Sequence, residues 1–119
     1  MILALLAIVG VVTNVHDGDT FRLGVTRARL AGIDANEMDG SCHHACAALS
    51  APAARDYLAG LILGREVRCE QVGTSYNRVV AWCSVGGRDL SCEMVRAGGA
   101  VRWDRYDPDR RLVGCEGRR

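Results

Sequence analysis

Apolar residues along this chain fall into short alternating runs or recur at three-and-four spacing, and glycine, asparagine and aspartate punctuate them. The valine-rich stretch from Ile8 to His16 predicts a strand. His16-Asp17-Gly18-Asp19 is a turn signal, Asp-Gly being a favoured hairpin pair. Thr20 to Leu23 predicts a second strand and Arg27 to Ile33 a third, followed by a loop over residues 34–48. Ala54, Tyr57, Leu58, Leu61 and Ile62 then form one apolar stripe of a helix. Ser50 or Ala51 precedes its first turn, Pro52 suits that turn, and Gly64 ends it. Glu66 to Val72 and Val79 to Val85 predict two more strands around the loop from Thr74 to Arg78. A second helix opens on Asp89 as cap, buries Leu90, Met94 and Val95, and closes at Gly98-Gly99. Residues 104–119, rich in arginine and aspartate, read as a tail or short helix.

Three strands, a helix, two strands and a helix is the order of the OB-fold. The expected architecture is mainly β with α, a five-stranded Greek-key barrel with two or three helices, of a type that commonly binds oligonucleotides. With 119 residues and neither repeats nor linkers, residues 1–119 make one domain. The opening MILALLAIVGVV is near the apolar length of an export signal, lacks a basic n-region, and is shorter than the roughly 20 apolar residues a bilayer span needs. Residues 1–7 therefore read as a signal or anchor remnant running into the first strand.

Charge narrows the picture only slightly. Fifteen basic against fourteen acidic residues leave a net +1, so phosphate contacts must come from placed residues rather than a broad basic patch. All the basic residues are arginines, whose planar fork can grip phosphate in bidentate fashion. Six cysteines in so short a chain point to an oxidising, extracytoplasmic compartment, periplasmic or secreted. If the last hairpin is centred on Tyr76, Cys69 lies directly across from Cys83, within disulfide reach. Cys42-His43-His44-Ala45-Cys46 invites a zinc reading, but four ligands in five adjacent residues strain the backbone, so a Cys42–Cys46 disulfide is expected. Cys92 and Cys115 are then left to pair.

Three segments hold candidate chemistry. Asp17-Gly18-Asp19-Thr20 can present oxygens to a hard cation, although many such triplets are plain solvated turns. Arg29 lies at a core-like strand position with Asp34 and Glu37 at the strand's exit, an arrangement that serves a salt bridge as readily as a reaction. Tyr76-Asn77-Arg78 is a turn from which a guanidinium can reach back across the barrel.

Taken together, the Asp-Gly-Asp-Thr turn, Arg29-Leu30-Ala31-Gly32-Ile33-Asp34-Ala35-Asn36-Glu37, Tyr76-Asn77-Arg78 and Leu90-Ser91-Cys92-Glu93-Met94-Val95-Arg96-Ala97-Gly98 resemble the thermonuclease (staphylococcal nuclease-like) family over about residues 8–106. The resemblance implies a calcium-dependent nuclease that cuts DNA and RNA with little sequence preference and leaves 3′-phosphates. Asp19, Asp34 and the Ala35 carbonyl would hold calcium, with Asp17 and Thr20 behind them. Glu37 would orient or deprotonate water, and Arg29 and Arg78 would grip the phosphate. Tyr76, Trp103 and Tyr106 would contact substrate, the last two by stacking on a base, although Trp103 serves equally well as a cover over the core. Nothing demands more than a monomer, an obligate protein partner or a stable membrane span.

The chain also departs from the family pattern. Asn36 stands where proline is expected, leaving the loop that aims Glu37 less rigid, and Asn77 replaces a turn glycine whose positive φ asparagine tolerates. Thr74 and Ser75 replace charged residues. An inactive OB-type binding module is the main alternative, and a zinc-stabilised structural domain a weaker one.

Overall fold

The computed structural model describes residues 7–116. The predicted signal or anchor remnant lies, but for Ala7, outside the described residues. Among the described residues are eight strands: β1 (Ala7–Asp17), β2 (Thr20–Leu23), β3 (Thr26–Leu30), β4 (Ile33–Asp34), β5 (Glu66–Ser75), β6 (Arg78–Val85), β7 (Arg88–Asp89) and β8 (Val101–Arg102). Two helices, α1 (Ala51–Ile62) and α2 (Leu90–Ala97), and two short 3-10 turns, Asp104–Tyr106 and Val113–Cys115, complete the described chain.

The main sheet runs β3-β2-β1-β5-β6-β7, and a parallel pairing of β3 with β6 closes the first five of these strands into a barrel. This is the expected OB-type architecture. Closure leaves no open edge among the barrel strands, and bulges in β1 and β5 supply the coiling that it needs. Phe21, Leu30, Val12 and Val67 fill the interior, while Leu58 and Ile62 of α1 and Leu90 and Met94 of α2 close over it, all at most 1% exposed.

Both helices begin where their caps predict. Ser50 accepts a hydrogen bond from the Ala53 N–H, and Asp89 accepts one from the Ser91 N–H. Gly98, in the left-handed region at φ 77°, ends α2. The buried face of α1 is Ala51, Ala54, Leu58 and Ile62, whereas Tyr57, counted in the predicted stripe, is exposed. Three-and-four spacing admits two neighbouring stripes, and the small Ala51 and Ala54 let the helix sit close to the barrel.

Two further differences have local causes. The predicted third strand is broken at Ala31-Gly32, where φ of 78° turns the chain, so Ile33–Asp34 leaves the barrel and pairs with β8 instead. The loop of the last hairpin is centred between Tyr76 and Asn77 rather than on Tyr76, because Ser75 pairs with Arg78. A bulge between Gln71 and Gly73 restores the register, and Cys69 still faces Cys83. All three expected disulfides, Cys42–Cys46, Cys69–Cys83 and Cys92–Cys115, are formed, which fits an oxidising compartment. The last bond helps hold the C-terminal segment against the body, where Leu112 is fully buried. Among the described residues no helix is long and apolar enough to cross a membrane.

Candidate functional site

The turn between β1 and β2 is tight because it is wedged. A Cβ on Gly18 would lie 2.8 Å from the Ala54 Cβ and 2.9 Å from the Ala35 Cβ, so only glycine lets this turn approach both α1 and the exit of β4. That approach brings Asp19 to the Ala35 backbone, whose N–H donates to Asp19 Oδ2 at 3.0 Å. Asp17 Oδ1 accepts the Asp19 N–H at 3.0 Å, and the Thr20 hydroxyl donates to Asp19 Oδ1 at 3.0 Å. Asp17 and Thr20 thus brace the aspartate between them.

Arg29 stands directly across from Thr20 in the β2–β3 pair. Its neighbours Ala28 and Leu30 face the core, so Arg29 lies on the other face of the strand, where its side chain is nonetheless only 15% exposed and takes the partners that such a position requires. One terminal nitrogen donates to the carbonyls of Leu30 and Ile33 at 2.8 and 3.0 Å. The other lies 3.4 Å from Asp19 Oδ2 and 3.3 Å from Asp34 Oδ1. The guanidinium therefore spans both aspartates and leaves Glu37 unpaired with it.

Negative charge still exceeds positive at this point. Burial, and next the charge of Asp19, push the Asp17 carboxyl up to about 7. Asp34 is 1% exposed, and its Oδ2 has no hydrogen-bond partner, whereas such buried atoms almost always have one. A buried carboxylate oxygen left open beside further carboxylates suits a cation.

The loop after β4 is tied down by Asn36. Its side-chain amide donates to the carbonyls of Ala47 and Leu49, both at 3.1 Å, and its Oδ1 accepts the Ala47 N–H at 2.7 Å. The expectation of a looser loop without proline is thus corrected: the amide clamps the two ends of the segment carrying Glu37. Within it, His43 Nδ1 lies 3.3 Å from Glu37 Oε1 and 3.6 Å from Asp34 Oδ1. Among the described residues, Asp34, Glu37 and His43 are the group of three side chains whose ligand atoms converge, all within 4.8 Å of one another. Sequence reasoning passed over His43 once the zinc reading of its segment gave way to a disulfide. The spacing alone did not show that this bond aims one imidazole at Asp34.

Arg78 begins β6 at the foot of the last hairpin. It donates to the Ser75 carbonyl at 3.4 Å, to the Ser75 hydroxyl at 3.2 Å and to the Thr20 hydroxyl at 3.3 Å. Thr20 therefore links Arg78 to Asp19 across the barrel. The left-handed residue of this turn is Tyr76, at φ 57°, and not Asn77 as expected; Asn77 instead accepts a bond from Arg27 at 3.0 Å.

The Trp103 backbone N–H donates to the Gly32 carbonyl, and its ring stacks on His44 at 5.5 Å between centroids. Tyr106 meets it edge-on at 4.8 Å and is half exposed, while Tyr76 stands almost entirely in solvent. Asp19, Arg29, Glu37, Arg78, Trp103 and Tyr106 all line one cleft of about 1010 Å³. The fold and this cleft define an OB-type barrel with acidic, arginine and aromatic side chains on one face. Residues 27–113 match the family described as staphylococcal nuclease homologue, and the chain belongs to that family. Asp17, Asp19 and Thr20 precede the matched span. A search of curated proteins returns no match to the chain.

Proposed function

We propose that this protein is an extracytoplasmic, calcium-dependent nuclease that hydrolyses the phosphodiester bonds of DNA and RNA with little sequence preference, leaving 3′-phosphates. One observation carries the reading: Asp17, Asp19, Arg29, Glu37 and Arg78, from four separate segments, line a single cleft, and the buried Asp34 adjoins it through Arg29. Asp19, Asp34 and the Ala35 carbonyl offer the hard oxygen donors that calcium prefers, with Asp17 and Thr20 bracing Asp19. When bound, calcium supplies charge neutralisation and polarisation of the scissile phosphate.

Glu37 is half-exposed at the cleft and has room to orient a water and accept its proton. Arg29 fixes the spacing of Asp19 and Asp34 and adds positive charge beneath the phosphate. Arg78, on the strand beside that of Arg29 and bonded to Thr20, has a guanidinium that stabilises the charge that builds on the phosphoryl oxygens during attack. Trp103 and Tyr106 form a shelf on which a base beside the cleavage point stacks, and Tyr76 extends the contact surface. An inactive binding module would keep the shelf but have no need for the complete acidic and arginine set.

Glu37→Gln and Asp34→Asn separate binding from chemistry. Glu37→Gln is expected to lower kcat by about 10²- to 10⁴-fold while the rise in Tm on adding calcium persists. Asp34→Asn should lose both. Full cutting by either variant would contradict the assigned roles.

A further inference from the structure

The segment Cys42-His43-His44-Ala45-Cys46 is an added device beside the site, closed on itself by the Cys42–Cys46 disulfide, with alpha carbons 5.2 Å apart. Asn36 holds the downstream end of this loop through three hydrogen bonds to Ala47 and Leu49. The two imidazoles take different directions. His44 stacks on Trp103, whereas His43 turns its Nδ1 onto Glu37 and Asp34 at 3.3 and 3.6 Å.

Those separations match two ligands on one small ion. In a tetrahedral site with bonds of about 2.1 Å, neighbouring ligand atoms lie about 3.4 Å apart. Asp34 anchors the group from the interior: its side chain is 2% exposed, its Oδ1 lies 3.6 Å from His43 and 3.3 Å from Arg29, and its other oxygen, Oδ2, has no hydrogen-bond partner. Calcium and magnesium take oxygen donors and gain nothing from an imidazole. Zinc and its neighbours in the first transition series bind imidazole nitrogen and carboxylate oxygen together. His43 is half exposed, which gives an ion a route in.

We propose that Asp34, Glu37 and His43 form a site for a divalent transition-metal ion of the zinc class, which competes with calcium for Asp34 and withdraws Glu37 from its water. The site rests on the nuclease reading only for this consequence; its metal affinity stands apart. Zinc then acts as a brake on the enzyme, and the disulfide loop is the arm that applies it. His43 itself takes no part in calcium-dependent cutting.

The test uses the oxidised full chain, stripped with chelator and free of calcium. Zinc is titrated against a chromophoric chelator, and cobalt is followed by its visible absorption. The wild-type protein should bind one equivalent of zinc, and cobalt should give the intense spectrum of a low-coordinate site. His43→Ala should weaken zinc binding by at least ~100-fold, more than the loss of an outer partner usually costs. His44→Ala, an exposed imidazole outside the set, should bind as wild type does. In calcium, His43→Ala should cut nucleic acid at the wild-type rate and lose its inhibition by zinc. Absence of stoichiometric zinc binding, or equal affinity in wild type and His43→Ala, overturns the proposal even if calcium-dependent cutting is present. Zinc binding through His43 in a protein that never cuts would instead remove the nuclease reading and leave this site in place.

Discussion

Replacing Cys92 and Cys115 together by alanine tests how the cleft's outer wall is held. The bond joins α2 to the last 3-10 turn across 23 positions, and the segment between includes β8, Trp103 and Tyr106. Loop closure over such a stretch removes unfolded-state entropy equivalent to about 3.5 kcal/mol at 25 °C. The Cys42–Cys46 bond spans only 4 positions, for which the same relation gives about 2 kcal/mol. Against a total stability of about 5–15 kcal/mol, the first loss is large enough to lower Tm by ten degrees or more. Urea unfolding of the two double variants under oxidising conditions, followed by tryptophan fluorescence, measures both losses. Hydrogen exchange at the Leu112 amide, which donates to Asp107 Oδ2 at 2.9 Å, should accelerate in the Cys92/Cys115 variant even well below the transition. A loss below ~1 kcal/mol, or one no greater than that of the Cys42/Cys46 variant, would refute the loop-closure account.

Asp107 provides a pH-dependent test of the same wall. Burial alone would raise its carboxyl, but hydrogen bonds from the Leu112 N–H, the Arg102 guanidinium and the Arg111 N–H outweigh this and hold it below the usual carboxylate range. A carboxyl so depressed stabilises the fold fully above its unfolded value of about 3.9, and that contribution is lost as pH falls through the folded value. Asp107→Asn should therefore cost about 2–4 kcal/mol at pH 7 and progressively less below pH 4, measured by urea unfolding at each pH. Gly32→Ala combines a left-handed φ of 78° with a Cβ placed 2.7 Å from Trp82 and 3.0 Å from Leu112, so calorimetry should find a loss of at least ~2 kcal/mol. Wild-type stability in that variant would mean that the Ala31-Gly32 turn adapts more readily than its packing indicates.

The barrel was readable in the chain because each of its features has a local cause. Strands alternate, Ser50 and Asp89 are strong caps, and Gly98 ends its helix in the left-handed region. The Cys69–Cys83 pairing emerged from register arithmetic although the turn centre assumed in it was wrong, because a bulge shifts the register back. Features that depend on tertiary choice were less legible. β4 and β8 are two residues each, too short for periodicity to mark, and they exist because Gly32 turns the chain out of the barrel. Tyr57 was misplaced because spacing cannot say which of two adjoining stripes meets the core. At the site, motif order brought Asp19, Arg29, Asp34, Glu37 and Arg78 forward together, and they do line or adjoin one cleft. The clamp made by Asn36 and the direction of His43 depend on contacts across the loop, which adjacency in sequence does not encode.

The most direct measurement is cleavage of single-stranded DNA by the oxidised protein in calcium and then in excess chelator, beside Arg78→Ala. Arg78 donates hydrogen bonds to Ser75 and Thr20 and lies over the exposed Tyr76 ring, so its removal should leave the fold intact. Cutting should require calcium, stop on chelation, and fall by at least about 10²-fold in Arg78→Ala at unchanged Tm. A folded protein that cuts nothing in calcium, or cuts equally well without Arg78, would contradict the assignment of this cleft as a nuclease site.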